Sequence, residues 1–434
     1  MKRMAVALSL PALAAAGLHF LRAGEPGVFA AGLMLPFLFL VRREWARYVL
    51  VTVLWSAAVM WMMVLLDIAQ ARILMGAPWA RFALVMAFVF ILTVVAALLV
   101  GRIRFGNTEK ALAGDAAAFA AFLLTAGLIV FARAKAPFPV LLADRAADGT
   151  GWMVIVLLSS YAAWIAARLV ESPATAKLRV RIWAVFAAVF FAQLFLGLSG
   201  LESFLMTGKL HVPVPAVIIA GPLYRGEGFF MPVLFASTIL LVGPAWCSHL
   251  CYFGAWDALA ASNKKRSSRP PVWLPAARPA LLVAVVVAAL VMRAFEVSGI
   301  HASLTALAFG AVGLGIMALV SRNRGYMAHC AAWCPLGLVA ALGGKLSPFR
   351  IRIDDACTDC GACTSSCRYD ALRPEHVRRR SPGVNCTLCG DCLASCRGGF
   401  IGYRFPWLSP GGARAAFIAL VAALHAVFLG LARI

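Results

Sequence analysis

Two groups of four cysteines lie near the carboxyl end of the chain, and each has the spacing C-x2-C-x2-C-x3-C. This spacing is typical of cubic iron–sulfur clusters, in which three thiolates come from one tight loop and the fourth cysteine binds the neighbouring cluster. We therefore predict two [4Fe–4S] centres. The predicted ligands of centre 1 are Cys357, Cys360, Cys363 and Cys396. The predicted ligands of centre 2 are Cys386, Cys389, Cys392 and Cys367.

The residues between these cysteines agree with that interpretation. Gly361 and Gly390 follow the second cysteine of each group, where the backbone has to turn tightly. The stretch resembles a bacterial two-cluster ferredoxin, except that Arg368 and Arg397 replace the usual proline after the fourth cysteine. A guanidinium there favours the reduced cluster. The alternative is a pair of zinc sites or a disulfide-bonded module, but zinc ligands usually come as two pairs with a longer gap.

The other four of the twelve cysteines form two C-x3-C pairs, Cys247 with Cys251 and Cys330 with Cys334. On an α-helix, residues i and i+4 share a face with Cβ atoms about 5–6 Å apart. A disulfide needs about 3.5–4.5 Å, so a metal or redox site is easier to build than a disulfide within a pair. The alternative is that these cysteines are small buried residues between packed helices.

Residues 176–345 look duplicated, because two apolar spans precede each pair and a glycine follows its second cysteine by three positions. The first copy reads Trp246-Cys-Ser-His-Leu-Cys-Tyr-Phe-Gly254 and the second reads His329-Cys-Ala-Ala-Trp-Cys-Pro-Leu-Gly337. Pseudo-two-fold packing of the copies would bring the four cysteines into one site. Four thiolates can hold an iron–sulfur cluster, zinc or copper, or act as a dithiol relay.

The composition indicates an all-α polytopic membrane bundle, because 63% of the 434 residues are hydrophobic. We predict about eleven spans, near 4–22, 25–41, 48–66, 80–101, 115–133, 152–171, 180–199, 228–246, 279–297, 302–320 and 413–431. The net charge of +22 is explained by Lys and Arg at the cytoplasmic ends of spans. Nucleic acid is not an expected partner, because no basic patch is interleaved with aromatic residues.

The loops that follow every second span are rich in Lys and Arg, including Arg42, Arg43 and Arg47 and the group Lys264, Lys265, Arg266 and Arg269. By the positive-inside rule, the amino terminus and the clusters face the cytoplasm and the carboxyl terminus lies outside. The predicted domains are a six-helix membrane block over 1–175, duplicated hairpins over 176–345, a small α+β two-cluster ferredoxin-like module over 346–408, and a terminal span over 409–434.

Duplicated hairpins, C-x3-C pairs and a double-cubane module together resemble the NapH/NosR-type membrane polyferredoxins over roughly residues 180–410. The family's C-x3-C-P motif is intact from Cys330 to Pro335, but Tyr252 replaces the proline after Cys251. The resemblance implies a bacterial cytoplasmic-membrane protein that supplies electrons to a respiratory or maturation system. The larger NosR proteins also carry a flavin domain. No stretch here is long enough for one, so no covalent FMN is expected.

Electron transfer through the two centres is therefore the predicted function, as a component of an oxidoreductase system and not as a stand-alone enzyme. The expected partners are an acidic cytoplasmic carrier, such as ferredoxin or flavodoxin, or a membrane redox partner, with quinone as a further candidate. The alternative is a copper-handling or maturation factor of the CcoG type, because soft thiolates suit Cu(I). A redox sensor ranks third, since no signalling domain is visible.

Other ionisable residues in or near the predicted spans are further candidates for a functional site. His19 lies alone in the first span, where a helix neighbour usually satisfies such a group. Polar residues also gather at the predicted outer edge of the duplicated bundle, where they either line a quinone or proton site or extend to water. These residues are Arg225, Glu227, Arg293, Glu296 and His301.

Overall fold

The structure is a computed structural model that describes residues 2–104, 109–172, 175–204, 212–265, 267–268, 270–271 and 273–431. The predicted basic-loop residues Arg266 and Arg269 lie outside the described residues. The chain divides into two compact units, Met1–Glu171 and Ser172–Ile434.

The first unit is helical throughout its described part. Its elements are α1 (Lys2–Arg22), α2 (Pro26–Met34), a 3₁₀-helix (Leu35–Val41), α3 (Glu44–Leu74), α4 (Ala80–Gly101), α5 (Glu109–Lys135), α6 (Leu142–Ala146) and α7 (Gly151–Glu171). Its core is formed by apolar residues such as Trp45, Leu50 and Leu54 on α3. Arg43, just before α3, pairs with Asp115 on α5 and Glu171 at the end of α7, so one guanidinium joins three helices.

The predicted span at 25–41 has an unusual form. Helix α2 ends where the Leu35 N–H bonds to the carbonyl of Gly32, three residues back, and Pro36 then offers no N–H to continue an α-helix. Nine α-helical residues and seven 3₁₀ residues rise roughly 27 Å at about 1.5 and 2.0 Å per residue. That length approaches the ~30 Å of a hydrocarbon core.

The second unit contains the remaining helices and both strands. Its helices are α8 (Thr175–Leu198), α9 (Val217–Arg225), α10 (Phe230–Val242), α11 (Tyr252–Ala261), α12 (Leu274–Ala294), α13 (Gly299–Ile316), α14 (Arg322–Arg324), α15 (Pro335–Gly343), α16 (Ala362–Ser366), α17 (Pro374–Arg378), α18 (Asp391–Ser395) and α19 (Pro410–Leu431). Short 3₁₀-helices occupy Glu202–Phe204 and Gly243–Ala245, and π-helical turns occupy Trp246–Leu250, Met317–Ser321 and His329–Trp333.

Ten helices of the described residues are long and apolar enough to cross a membrane, judged by length and composition. They are α1, α3, α4, α5, α7, α8, α10 with the turns that follow it, α12, α13 with the turns that follow it, and α19. Pro26–Val41 is a shorter apolar helix. A helical membrane bundle is therefore the architecture that the helices support.

Two short strands close the ferredoxin-like segment. Strand β1 (Arg350–Ile353) pairs antiparallel with β2 (Ile401–Arg404), with Arg350 opposite Arg404 and Ile353 opposite Ile401. Side chains alternate along a strand, so Ile351 and Tyr403 are buried while their neighbours face outward. Because β1 precedes the first cysteine loop and β2 follows the second, the sheet joins the two ends of the segment.

Candidate metal centres

The two cysteine groups of the ferredoxin-like segment have the same backbone path. Gly361 and Gly390 have φ of 73° and 77°, the left-handed region that glycine adopts without strain. A Cβ on Gly390 would lie 2.7 Å from the Tyr403 hydroxyl, so a side chain there has no room. Helices α16 and α18 begin directly after these glycines and carry the third cysteine of each group.

Each of these short helices ends at the fourth cysteine, in extended conformation, at Cys367 and Cys396. The two helices lie side by side, and the hydroxyls of Ser366 and Ser395, which precede those cysteines, are 2.9 Å apart. Cys367, from the first group, lies near the second group. Burial raises the pKa of the Cys392 thiol, and the neighbouring Cys389, Cys386 and Cys367 raise it further.

The predicted ligands of centre 2 therefore lie together. In the first group, burial raises the pKa of the Cys363 thiol, and the neighbouring thiols of Cys357 and Cys360 raise it further.

No three His, Cys, Asp or Glu side chains of the described residues lie close enough to share a single metal ion. In a cubane each thiolate binds a different iron, so the four ligands surround the cluster and do not meet at one point.

The two groups differ in their access to solvent. Cys360 of centre 1 is exposed, and exposed Asp354, Asp355 and Asp359 lie near it in the chain. No predicted ligand of centre 2 is exposed, and Cys392 is buried. Centre 1 is therefore the one that a soluble partner can approach more closely.

The C-x3-C pairs adopt one backbone conformation twice. The N–H of Cys251 bonds to the carbonyl of Trp246 and the N–H of Cys334 to that of His329, both at 2.9 Å and both spanning five residues. Cys251 and Cys334 then have nearly identical extended dihedral angles, φ −81° and ψ 117° against φ −79° and ψ 111°. The expectation of two cysteines on one α-helical face is therefore wrong, because a π-turn separates them.

The second cysteine of each pair begins a helix, since Cys251 precedes α11 and Cys334 precedes α15. Burial raises the pKa of the Cys251 thiol to about 12, while hydrogen bonds from the amides of Gly254 and Phe253 lower it. Burial likewise raises the pKa of the Cys334 thiol, while hydrogen bonds from the amides of Gly337 and Leu336 lower it. Amides at a helix start stabilise a thiolate, which is the form that binds metal.

The glycine three residues after each pair has a steric cause. A Cβ on Gly254 would lie 3.0 Å from the carbonyl oxygen of Cys247 and closer still to the ring of Trp183. A Cβ on Gly337 would lie 3.4 Å from the carbonyl oxygen of Cys330 and would collide with Arg278. In both copies, glycine lets the helix start approach the first cysteine of the pair.

All four pair cysteines, Cys247, Cys251, Cys330 and Cys334, line a single cavity, which we call the cysteine cavity. The ferredoxin-like segment forms another part of its wall, through Tyr369, Asn385, Cys386 and Thr387. The Tyr369 hydroxyl, on a buried side chain, donates a 3.1 Å hydrogen bond to the carbonyl of Cys247. Cys386 is a predicted ligand of centre 2, so the cavity and centre 2 share a wall.

Several buried polar atoms in this wall have no hydrogen-bond partner within the described part of the chain. They are both ring nitrogens of His329, Nε of Arg278 and Oγ1 of Thr387, and these residues are 3%, 5% and 8% exposed. Buried polar groups in folded proteins nearly always have partners, which include bound ions and ligands. The cavity therefore fits a bound group whose metal atoms take thiolate ligands and whose other atoms accept hydrogen bonds. An iron–sulfur cluster has both, in its irons and its sulfides.

Asp257 and His329 are site residues that the sequence analysis missed. The Asp257 carboxylate, fully buried on α11, accepts a 2.9 Å hydrogen bond from the N–H of Cys330. Burial raises its pKa to about 6 and lowers that of His329 to about 4. His329 directly precedes Cys330, and this position was the signal available in the sequence. Trp246 has the equivalent position before Cys247, so the histidine is not repeated in the first copy.

Two buried arginines connect the duplicated helices to the loop of centre 2. Arg179 is the fifth residue of α8, and its guanidinium bonds to both carboxylate oxygens of Asp391 at 3.1 and 2.7 Å and to the carbonyl of Ser248 at 2.8 Å. Arg278 is the fifth residue of α12, and it donates a 2.7 Å bond to the side chain of Asn385. Asn385 directly precedes Cys386, and Asp391 lies between Cys389 and Cys392 in the second group.

The other polar residues make local contacts. The ring of His19 lies 5.4 Å from that of Trp61, within the first unit. At the predicted outer edge, Arg293 contacts the carbonyl of Leu223 at 3.5 Å, and His301 is 2.7 Å from the hydroxyl of Ser298. The first contact joins the end of α12 to α9, and the second is local to the start of α13.

Comparison with known protein families gives a match around the two C-x3-C pairs. A family model described as a 4Fe-4S binding domain matches residues 225–270 and 304–354. Each matched stretch contains one C-x3-C pair, and both end before Cys357. No curated protein and no solved structure matches the chain. The match and the clustered cysteines support an iron–sulfur protein with an electron-transfer role.

Proposed function

We propose that the chain is a membrane-bound electron-transfer protein with three iron–sulfur centres. Two are held by the ferredoxin-like segment, and the third is held in the cysteine cavity by Cys247, Cys251, Cys330 and Cys334. The observation that carries this proposal is the shared wall, since the four pair cysteines and Cys386 line one cavity. An electron on centre 2 is then next to the third centre.

The cubane is favoured over copper for the cavity. The matched 4Fe-4S family model covers both pairs. His329, whose ring nitrogens have no hydrogen-bond partner among the described residues, and Arg278, whose Nε has none, line the same cavity as the thiols. When bound, such a centre supplies one-electron redox chemistry. The residues of the chain hold it with four thiolates, stabilise two of them with amide donors, and exclude water through the buried wall.

The order of the centres follows from their exposure. With clusters bound, centre 1 would exchange electrons with a soluble partner beside the exposed Cys360, and centre 2 would exchange electrons with the cysteine cavity, whose wall includes Cys386. A quinone or a membrane redox partner exchanges electrons with the cavity centre. The soluble partner of centre 1 is an acidic carrier, because residues 321–412 are basic, with 12 Lys and Arg against 6 Asp and Glu.

Reduction by such a carrier is expected to slow as ionic strength rises, because salt screens the attraction between the basic segment and an acidic partner. Stopped-flow bleaching of the cluster absorbance, with reduced flavodoxin as donor, measures this rate. Exposed Arg378 and Arg379 provide the variant, since glutamine at both is expected to slow the reaction at low salt.

Exposed Asp354 and Asp355 provide the matched control for that experiment. Asparagine at both removes the same number of charges with the opposite sign, so it is expected to accelerate the same step. Equal rates for all three proteins at every salt concentration would exclude electrostatic docking.

Reporter fusions test the proposed orientation, in which the ferredoxin-like segment faces the cytoplasm. Fusions after residues 265 and 375 are expected to report the cytoplasm, and a fusion after residue 434 the opposite side, because basic loops stay inside. The fusion after residue 434, together with a fusion at the amino terminus, also tests whether Pro26–Val41 crosses the membrane. Ten spans place the two termini on the same side, and an eleventh places them on opposite sides. A periplasmic signal at residue 375 would reverse the orientation.

A further inference from the structure

His329 in the wall of the cysteine cavity has two ring nitrogens without a hydrogen-bond partner among the described residues. Its imidazole is 3% exposed, both ring nitrogens lack a partner among the described residues, and it lines the cavity beside Cys330. A buried polar group without a partner destabilises the folded state. Ordered water, ions and bound ligands are the partners that such groups usually have when the protein supplies none.

The ring is held in position by its neighbours. A Cβ on Gly313 would lie 2.7 Å from Nδ1 and 2.8 Å from Cε1 of His329, so α13 packs directly against the imidazole. The ring of Phe253 lies 5.7 Å from it. Nδ1 and Cε1 therefore lie against α13, and His329 also forms part of the cavity wall.

Two other unpartnered donors line the same cavity. Arg278 already uses one nitrogen for Asn385, but its Nε has no partner within the described residues. Thr387, which follows Cys386, has an equally unpartnered hydroxyl. The three groups come from different elements, since His329 belongs to a π-turn, Arg278 to α12 and Thr387 to the loop of centre 2.

We propose that His329, Arg278 and Thr387 donate hydrogen bonds to the sulfur atoms of the centre in the cysteine cavity and thereby raise its midpoint potential. This inference rests on the proposed function. Hydrogen bonds and positive charge stabilise the reduced cluster, which carries one more negative charge. In this proposal His329 contacts the centre through a hydrogen bond and is not one of its four ligands.

A raised potential at the cavity centre favours electron transfer in one direction, from centre 2 to the cavity centre. One electron leaves centre 2 and one electron reaches the cavity centre, with no bond formed or broken and no proton required. Donors on the wall of the cavity make that step more favourable toward the membrane. A one-electron centre changes its ratio of reduced to oxidised form tenfold for each ~59 mV.

Potentiometric titration followed by EPR on the whole detergent-solubilised protein tests the proposal. Phenylalanine at His329 keeps a ring of similar shape but removes the donor. We expect the cavity centre of this variant to shift to a more negative potential, by about a tenfold change in that ratio or more, equal to ~59 mV. Glutamine at His329 restores a donor and is expected to recover part of the shift.

The controls separate this inference from the proposed function. Centres 1 and 2 in the same sample are expected to keep their potentials, and phenylalanine at His376, which lies outside the cavity wall, is expected to leave the cavity centre unchanged. A cavity centre with the wild-type potential in His329→Phe overturns the inference alone. Loss of that centre from both His329 variants, with centres 1 and 2 intact, also overturns it. Wild-type protein without a third centre overturns the proposed function itself.

Discussion

Serine at all four pair positions is expected to remove about four of about twelve irons per chain and to stop electrons at centre 2. The positions are Cys247, Cys251, Cys330 and Cys334, which line one cavity next to Cys386. Serine is a good residue at the start of a helix, so α11 and α15 should keep their form. The expected loss therefore reports on the thiolates and not on the fold.

Iron analysis and rapid-mixing kinetics measure the two parts of this expectation. With a soluble donor, centres 1 and 2 of the serine variant should still be reduced, while a membrane acceptor such as a quinone should no longer be. A variant with serine at Cys386 alone is the matched control, since it should damage centre 2 and leave the four pair cysteines in place. Unchanged iron and unchanged transfer in the fourfold variant would make these cysteines packing residues.

The second large effect concerns the ion pair between Arg179 and Asp391. These side chains are 2% and 8% exposed, and they join α8 to the start of α18. Glutamine at Arg179 leaves the Asp391 carboxylate buried without its charged partner, which costs about 3–5 kcal/mol. We expect hydrogen exchange of the amides in α18 to accelerate roughly a hundredfold or more, because local opening becomes easier by that free energy.

Two matched variants test that explanation. Glutamine at Arg373 removes a partly exposed pair with Asp370 in the same segment, and a surface pair of this kind contributes about 0–1 kcal/mol. Methionine at Arg179 combined with leucine at Asp391 removes both charges and should recover much of the stability. Equal exchange rates in the Arg179 and Arg373 variants would show that the buried pair does not hold the segment.

The sequence was most informative where chemistry depends on spacing along the chain. The ferredoxin-like cysteines follow a rule that fixes a loop, a glycine turn and a short helix, and the loop glycines Gly361 and Gly390 adopt the expected left-handed conformation. Long apolar runs likewise predicted helices near their observed positions, because a membrane span requires an uninterrupted helix. The two C-x3-C segments, which share one backbone conformation, could be matched in the sequence because their cysteines and following glycines repeat.

What depends on contacts between distant segments could not be predicted. Arg179 and Asp391 are 212 residues apart, and nothing in either local sequence indicates the other. The π-turns differ from an α-helix by one residue in their hydrogen bonds, and periodicity does not detect this difference. His329 stands beside a cysteine in the sequence, but only the folded cavity shows that its ring nitrogens have no partner among the described residues.

Iron counting on anaerobically purified wild-type protein tests the central claim most directly. Centres 1 and 2 account for about eight irons per chain, and a cubane held by Cys247, Cys251, Cys330 and Cys334 adds about four. We predict about twelve irons with a matching amount of acid-labile sulfide. About eight irons, with the cavity cysteines free or bound to zinc or copper, would contradict a third iron–sulfur centre.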